Sequence, residues 1–179
     1  MSLYKTNEEV DIQKESCLMV SKTLTEVAKI LKPGMTTLSI DEFAYEFIKD
    51  NGGKPSFKGY HGYPYSLCIS VNEQVVHGFP GKYELKEGDI VSIDCGFYRK
   101  GFHGDHAYTF ILGDVPQEVL DLVRVTKESL FLGIDQAIVN NRTGDIAYAI
   151  ENHTHNKHGY GVVRELVGHG VGRQMHEDP

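Results

Sequence analysis

The sequence predicts a mixed α/β (α+β) fold in which a helical pair followed by strands is begun twice. Three observations predict it. Apolar residues recur at helical spacing over two stretches, 6–51 and 116–150. Segments that are β-branched and alternating follow the first of these. Finally, "TLTEVAKILKPGMTTLSIDEFAYEFI" (23–48) can be laid beside "TKESLFLGIDQAIVNNRTGDIAYAI" (126–150), with acidic, apolar and Ile/Ala/Tyr positions in step.

The first helix opens at Thr6, which with Glu9 forms a capping box. It presents Val10, Leu18, Val20, Leu24, Val27 and Leu31, and stops at Pro33-Gly34. Ser39 with Glu42 repeats the capping signal for a second helix, whose face is Ile40, Phe43, Ala44, Phe47 and Ile48. Asn51-Gly52-Gly53 ends it. Strands are predicted over 66–78, 89–98 and 106–113. Pro116 then begins a helix over roughly 116–139, and Thr143 begins another. Each helical pair leads to a segment ending in His-Gly, Val76-His77-Gly78 in the first copy and Gly168-His169-Gly170 in the second, which is expected to be a strand like the first. The predicted organisation is one domain, 1–179, with a first half-repeat at 1–115 and a partial second at 116–179. Two strands follow His77 in copy one, and their counterparts would fall beyond Pro179. A C-terminally truncated second half is therefore expected.

Composition narrows the function. At 179 residues and 40% hydrophobic content, the chain suits a single packed domain. Eighteen basic against twenty-five acidic residues, with no long Lys/Arg run, make a poor footprint for nucleic acid or an anionic membrane. The N-terminus lacks the apolar core of a signal peptide and no segment is long enough to span a bilayer, so a cytoplasmic protein is expected. Cys17, Cys68 and Cys95 are odd in number and widely spaced, which suits reduced thiols.

The chemistry concentrates in "VSIDCGFYRKGFHGDHAYTF" (91–110), where Asp94 and Asp105 interrupt alternating strands. A reversal within Tyr98-Arg99-Lys100-Gly101 sets them directly opposite one another, where like charges destabilise a sheet. A shared proton or a divalent cation would compensate. His169, followed by Gly170 and Gly172, favours the cation, since a proton-sharing pair has no use for imidazole. On spacing alone, two solvated aspartates facing apart across a bulge at Gly101 or Gly104 remain the alternative.

Three ordered blocks, "YHGYPYSLCISVNEQVVHG", "GDIVSIDCGFYRKGFHGDHAYTF" and "ELVGHGVGRQMHEDP", resemble the signature blocks of type I methionine aminopeptidases. The resemblance implies the "pita-bread" fold, a curved antiparallel sheet with two pseudo-symmetric helical pairs. It implies removal of the initiator methionine from nascent proteins when the next residue is small. The metal ligands would be Asp94 (bidentate), Asp105 (bridging) and His169, around two divalent ions (Co, Mn, Fe or Zn). The family's two further glutamates have no counterpart here, so this form is expected to bind ions weakly or singly and to be impaired. His77 and His176 match the family's two catalytic non-ligand histidines. Tyr60, Tyr63, Cys68 and Met175 match the methionine pocket, with His61 beside them, and Phe57 departs from the family's common cysteine. The partners implied are nascent peptides beginning with Met, with possible transient ribosome contact, no nucleic acid, no membrane and a monomeric state. A prolidase-like peptidase would share the cage but need another pocket, and a binding module would need neither.

Other histidines are expected to be bland. His103 and His106 flank Asp105 and are expected to face away from it. His153, His155 and His158 are expected on a solvated helix end.

Overall fold

A computed structural model describes residues 4–178. Thr6 caps the first helix, α1 (Asn7–Ile30), by the predicted reciprocal pair: its hydroxyl accepts from Glu9 N, and the Glu9 carboxylate accepts from Thr6 N. The buried stripe of α1 is Ser16, Val20, Thr23, Leu24 and Val27, while Val10 and Leu18 are exposed. Helix α2 (Thr37–Asp50) starts earlier than its sequence signal. Thr36 is the cap, with its hydroxyl accepting from Ser39 N at 3.1 Å, so Ser39 lies inside the first turn.

A two-residue strand β1 (Lys54–Pro55) and one 3₁₀ turn (Tyr60–Gly62) lead to β2 (Leu67–Val71), β3 (Ile90–Arg99) and β4 (Phe102–Ile111). All pairings are antiparallel. β4 runs along the whole of one edge of β3, while β2 and then β1 share the other. The central strand sorts its side chains by the two-residue period. Val91, Ile93, Cys95 and Phe97 are fully buried in the core with Val20, Val27, Ile40, Ala44 and Ile48. Close approach fixes two glycines here. A Cβ on Gly104 would lie 2.6 Å from the backbone of Cys17 in α1, and one on Gly53 would lie 2.1 Å from the Phe97 ring.

Three expectations about the strands are corrected. β2 ends at Val71, because Asn72 takes a left-handed conformation (φ 53°) and Gln74 Oε1 accepts from Val71 N, so 72–78 forms a loop. The hairpin between β3 and β4 pairs Arg99 with Phe102, leaving Lys100 and Gly101 as the two-residue turn. Both have positive φ (51° and 90°), the type I′ requirement, and this frame puts Gly101 at the second turn position. Asp94 therefore pairs with Ala107 and Asp105 with Gly96, and the aspartates are not directly opposite. The third correction is the second His-Gly segment. It is not a strand: 160–168 is irregular, and among the described residues no strand lies beside it to supply hydrogen bonds.

The predicted later helices are α3 (Gln117–Asp135), entered from Pro116, and α4 (Thr143–Glu151), which continues into a π-helical turn, Asn152–Lys157. The described chain divides into two compact units, one of residues up to Asp114 together with His169–Asp178, the other Val115–Gly168. No helix among the described residues is long and apolar enough to cross a membrane.

Candidate metal centre

With the odd positions of β3 committed to the core, Asp94 stands on the opposite face of the sheet, and the register brings Asp105 to that face as a diagonal neighbour. Diagonal pairs lie about 7–8 Å apart at Cα, within reach of two carboxyl groups. The two groups act on each other directly. Burial raises the pKa of both, and for Asp94 the charge of Asp105 adds to it. Asp105 Oδ1 is buried without a hydrogen-bond partner. Such an orphaned acceptor is expensive unless something electropositive meets it.

His169 supplies the third group. Its Nε2 lies 3.7 Å from Asp105 Oδ2, and its Nδ1 lies 2.9 Å from Gly170 O. A carbonyl can only accept, so Nδ1 carries the proton and Nε2 turns a lone pair toward Asp105. Two carboxyl groups and an acceptor nitrogen thus converge, a set that fits a divalent cation once the carboxyls are ionised. His169 is delivered by the segment 169–178, which closes on itself through Gly170 and Glu177 (2.8 Å in both directions). That segment is fastened to α1 and its N-terminal lead: Gln13 Nε2 donates to Val171 O at 2.7 Å, Lys5 pairs with Glu177 at 2.8 Å, and Arg173 pairs with Glu9. His103 N also donates to Gly172 O at 2.7 Å.

The remaining predicted residues gather around this face. His176 Nδ1 is 2.8 Å from Tyr60 Oη, its ring is 4.1 Å from that of His169, and Tyr60 stacks edge-on against His61 at 4.3 Å. Burial lowers the His176 pKa, and the neighbouring imidazoles of His169, His61 and His77 lower it further, which favours the neutral ring. His77 is a loop residue with φ 58°, close enough to Asp94 for its charge to offset part of that carboxyl's upward shift. Gly78 pins it there, because Ile69 N donates to Gly78 O at 2.9 Å and a Cβ on Gly78 would lie 2.2 Å from Ile69 O. His61 also has positive φ (47°), and strained backbone of this kind clusters at functional sites. Cys68 pairs across the sheet with Asp94 and is buried, which pushes its thiol up to about 11. Tyr63 donates to Leu67 O at 2.9 Å, and Met175 is buried.

Several contributors carry no sequence signal. Asp41 in α2 is buried and accepts from Ser66 N and Leu67 N at 2.8 and 2.7 Å, fixing where β2 begins. Phe79 stacks edge-on against Tyr63 and Tyr65, and only its apolar type in "VVHGF" could have flagged it. His103 corrects the expectation that it faces away. Two residues from Asp105, it shares that face, but its ring turns to Ser56 Oγ (2.9 Å) and Tyr98. His106 does point away, toward Ser21 on α1.

Known proteins give the same picture. A methionine aminopeptidase of Clostridium perfringens is 49% identical over the whole chain, which covers 72% of that protein. The crystal structure of a methionine aminopeptidase from Rickettsia prowazekii superposes with a TM-score of 0.96 at 34% identity, covering all of this chain and 72% of that one. A prolidase from Pyrococcus furiosus, at 22% identity, shares the fold, with a TM-score of 0.87 over 98% of this chain and 50% of its own. The expected pita-bread fold is the one these structures share. The model of metallopeptidase family M24 matches residues 11–179, and the chain belongs to that family.

Proposed function

We propose that the chain is a metal-dependent aminopeptidase that removes an N-terminal methionine when the next residue is small. The observation that carries this is the donor set itself: Asp94 and Asp105 buried against each other, an orphaned Asp105 oxygen, and His169 Nε2 turned toward them. On this reading Asp94, Asp105 and His169 hold divalent ions, two in a complete site, drawn from Mn, Fe, Co or Zn by availability. Bound ions supply a Lewis acid for the scissile carbonyl and a water of lowered pKa.

The chain's own residues supply the rest. With Tyr60 O–H donating to Nδ1, His176 keeps its proton on Nε2 and donates from there to the substrate carbonyl oxygen. Its lowered pKa keeps it a neutral donor beside bound cations. His77, held by Gly78, approaches the amine of the scissile bond. Tyr60, His61, Tyr63, Cys68 and Met175 make the apolar, aromatic wall that suits a thioether side chain, and Phe79 and Tyr65 extend it. The setting is cytoplasmic, with nascent peptides as substrates and transient contact with the ribosome.

A prolidase-like activity is the second reading, supported by the shared fold. Release of methionine from Met-Ala-Ser in Mn²⁺ or Co²⁺ tests both. Slow but metal-dependent release is expected, absent with Gly-Pro and reduced about a hundredfold or more in Asp105→Asn. Preference for Gly-Pro, or undiminished release by Asp105→Asn, would overturn the proposal.

A further inference from the structure

In the second unit, Glu128 of α3, His153 of the π-helical turn and His158, which caps that turn, bring one ligand atom each within 4.8 Å of one another. We infer that this group is a transition-metal site, distinct from the aspartate pair, that takes zinc. The π winding makes it possible. Residues five apart on an α-helix point about 140° apart, whereas a ring closed i to i+5 returns them to one side. The turn Asn152–Lys157 widens the winding between His153 and its C-cap residue His158, and the two rings meet edge-on at 4.8 Å. π-turns of this kind are frequent at functional sites.

Of the three histidines expected on a solvated helix end, His155 and His158 are exposed and His153 is half-buried. His155 lies outside the group, and its Nδ1 donates to Tyr160 O at 3.0 Å. His153 is largely covered, with 14% of its side chain exposed, and Glu128, which is far away in sequence, completes the set. Two imidazoles and a carboxylate are the three-ligand set of open zinc sites, with water as the fourth ligand. Imidazole donors also argue against magnesium or calcium.

His153 Nε2 and Glu128 Oε2 are 2.9 Å apart, and ligands about 2.0–2.1 Å from a tetrahedral ion lie about 3.3 Å from each other, so this pair opens by a few tenths of an ångström while His158, whose atom lies within 4.8 Å of the others, closes in by up to about 1.5 Å. Arg124 Nη1 holds the other oxygen, Glu128 Oε1, at 2.8 Å, which orients the carboxylate with Oε2 toward His153.

The test removes the first centre and asks what remains. In Asp94→Asn/Asp105→Asn, equilibrium dialysis against zinc is expected to give one ion per chain, with calcium giving none. X-ray absorption should show two imidazole nitrogens at about 2.0–2.1 Å. Adding His158→Gln, at an exposed position that leaves packing intact, should weaken binding at least tenfold, as should Glu128→Gln. Absence of stoichiometric zinc in the double variant, or zinc affinity unchanged by both His158→Gln and Glu128→Gln, would overturn the inference and leave an ordinary Glu128–His153 ion pair.

Discussion

Asp94 and Asp105 are costly as carboxylates and useful as ligands, and the cost can be measured. Because burial raises both pKa values, the native metal-free state binds protons more tightly than the unfolded chain does. Its stability therefore falls as pH rises from the ordinary carboxylate range toward the raised values. Asp94→Asn removes one buried charge. Without metal at pH 8, its melting temperature is expected to exceed the parent's, and with saturating Mn²⁺ the order should invert. Thermal melts with and without EDTA check both halves. Tyr60→Phe is a subtler case. It deletes the hydrogen bond that fixes the His176 tautomer, worth about 1 kcal/mol, so kcat/KM should fall roughly fivefold with metal binding unchanged. At this scale the aspartates were legible because a carboxylate within an alternating strand needs an explanation. Asp41 was not, because an aspartate in a helix reads as a solvated residue until Ser66 N and Leu67 N are seen to donate to it.

The β3–β4 hairpin shows what an element adds to its residues. Shifting a hairpin by one residue in its turn changes every partner. The frame with Lys100-Gly101 at the centre turned an opposed aspartate pair into a diagonal one without changing its face. The face was legible from the pleat, while the register depended on which residue could take φ 90°. Two substitutions separate turn geometry from packing. Gly101→Ala meets no atom within 4 Å and carries only backbone strain, about 1–2 kcal/mol. Gly104→Ala drives a Cβ into the α1 backbone and should cost more, about 3 kcal/mol, since helix and sheet must separate. Urea unfolding should rank them in that order. The 66–78 strand was over-read for a similar reason, since alternation in "SVNEQVV" gave no hint that Asn72 would turn the chain.

At the scale of the whole molecule, the repeat was legible in its helices. The chain divides after Asp114, and 169–178 belongs with the first unit rather than with the residues that precede it. The irregular course of 160–168 was not legible, because strand propensity is realised only beside a partner strand. What the sequence hid altogether is how 169–178 reaches the sheet: its clamps, Lys5–Glu177, Gln13–Val171 and Arg173–Glu9, join residues far apart in the chain. Gln13→Ala should therefore reduce methionine release by misplacing His169 and His176 while leaving the helical content unchanged, as circular dichroism would show.

Mn²⁺ titration followed by electron paramagnetic resonance decides whether Asp94, Asp105 and His169 form a cation site. Saturable binding by the parent chain is predicted, weakened at least about tenfold by Asp105→Asn and by His169→Ala, and untouched by His158→Gln. Equal Mn²⁺ binding by the parent and by Asp105→Asn would show that these residues do not hold the ion.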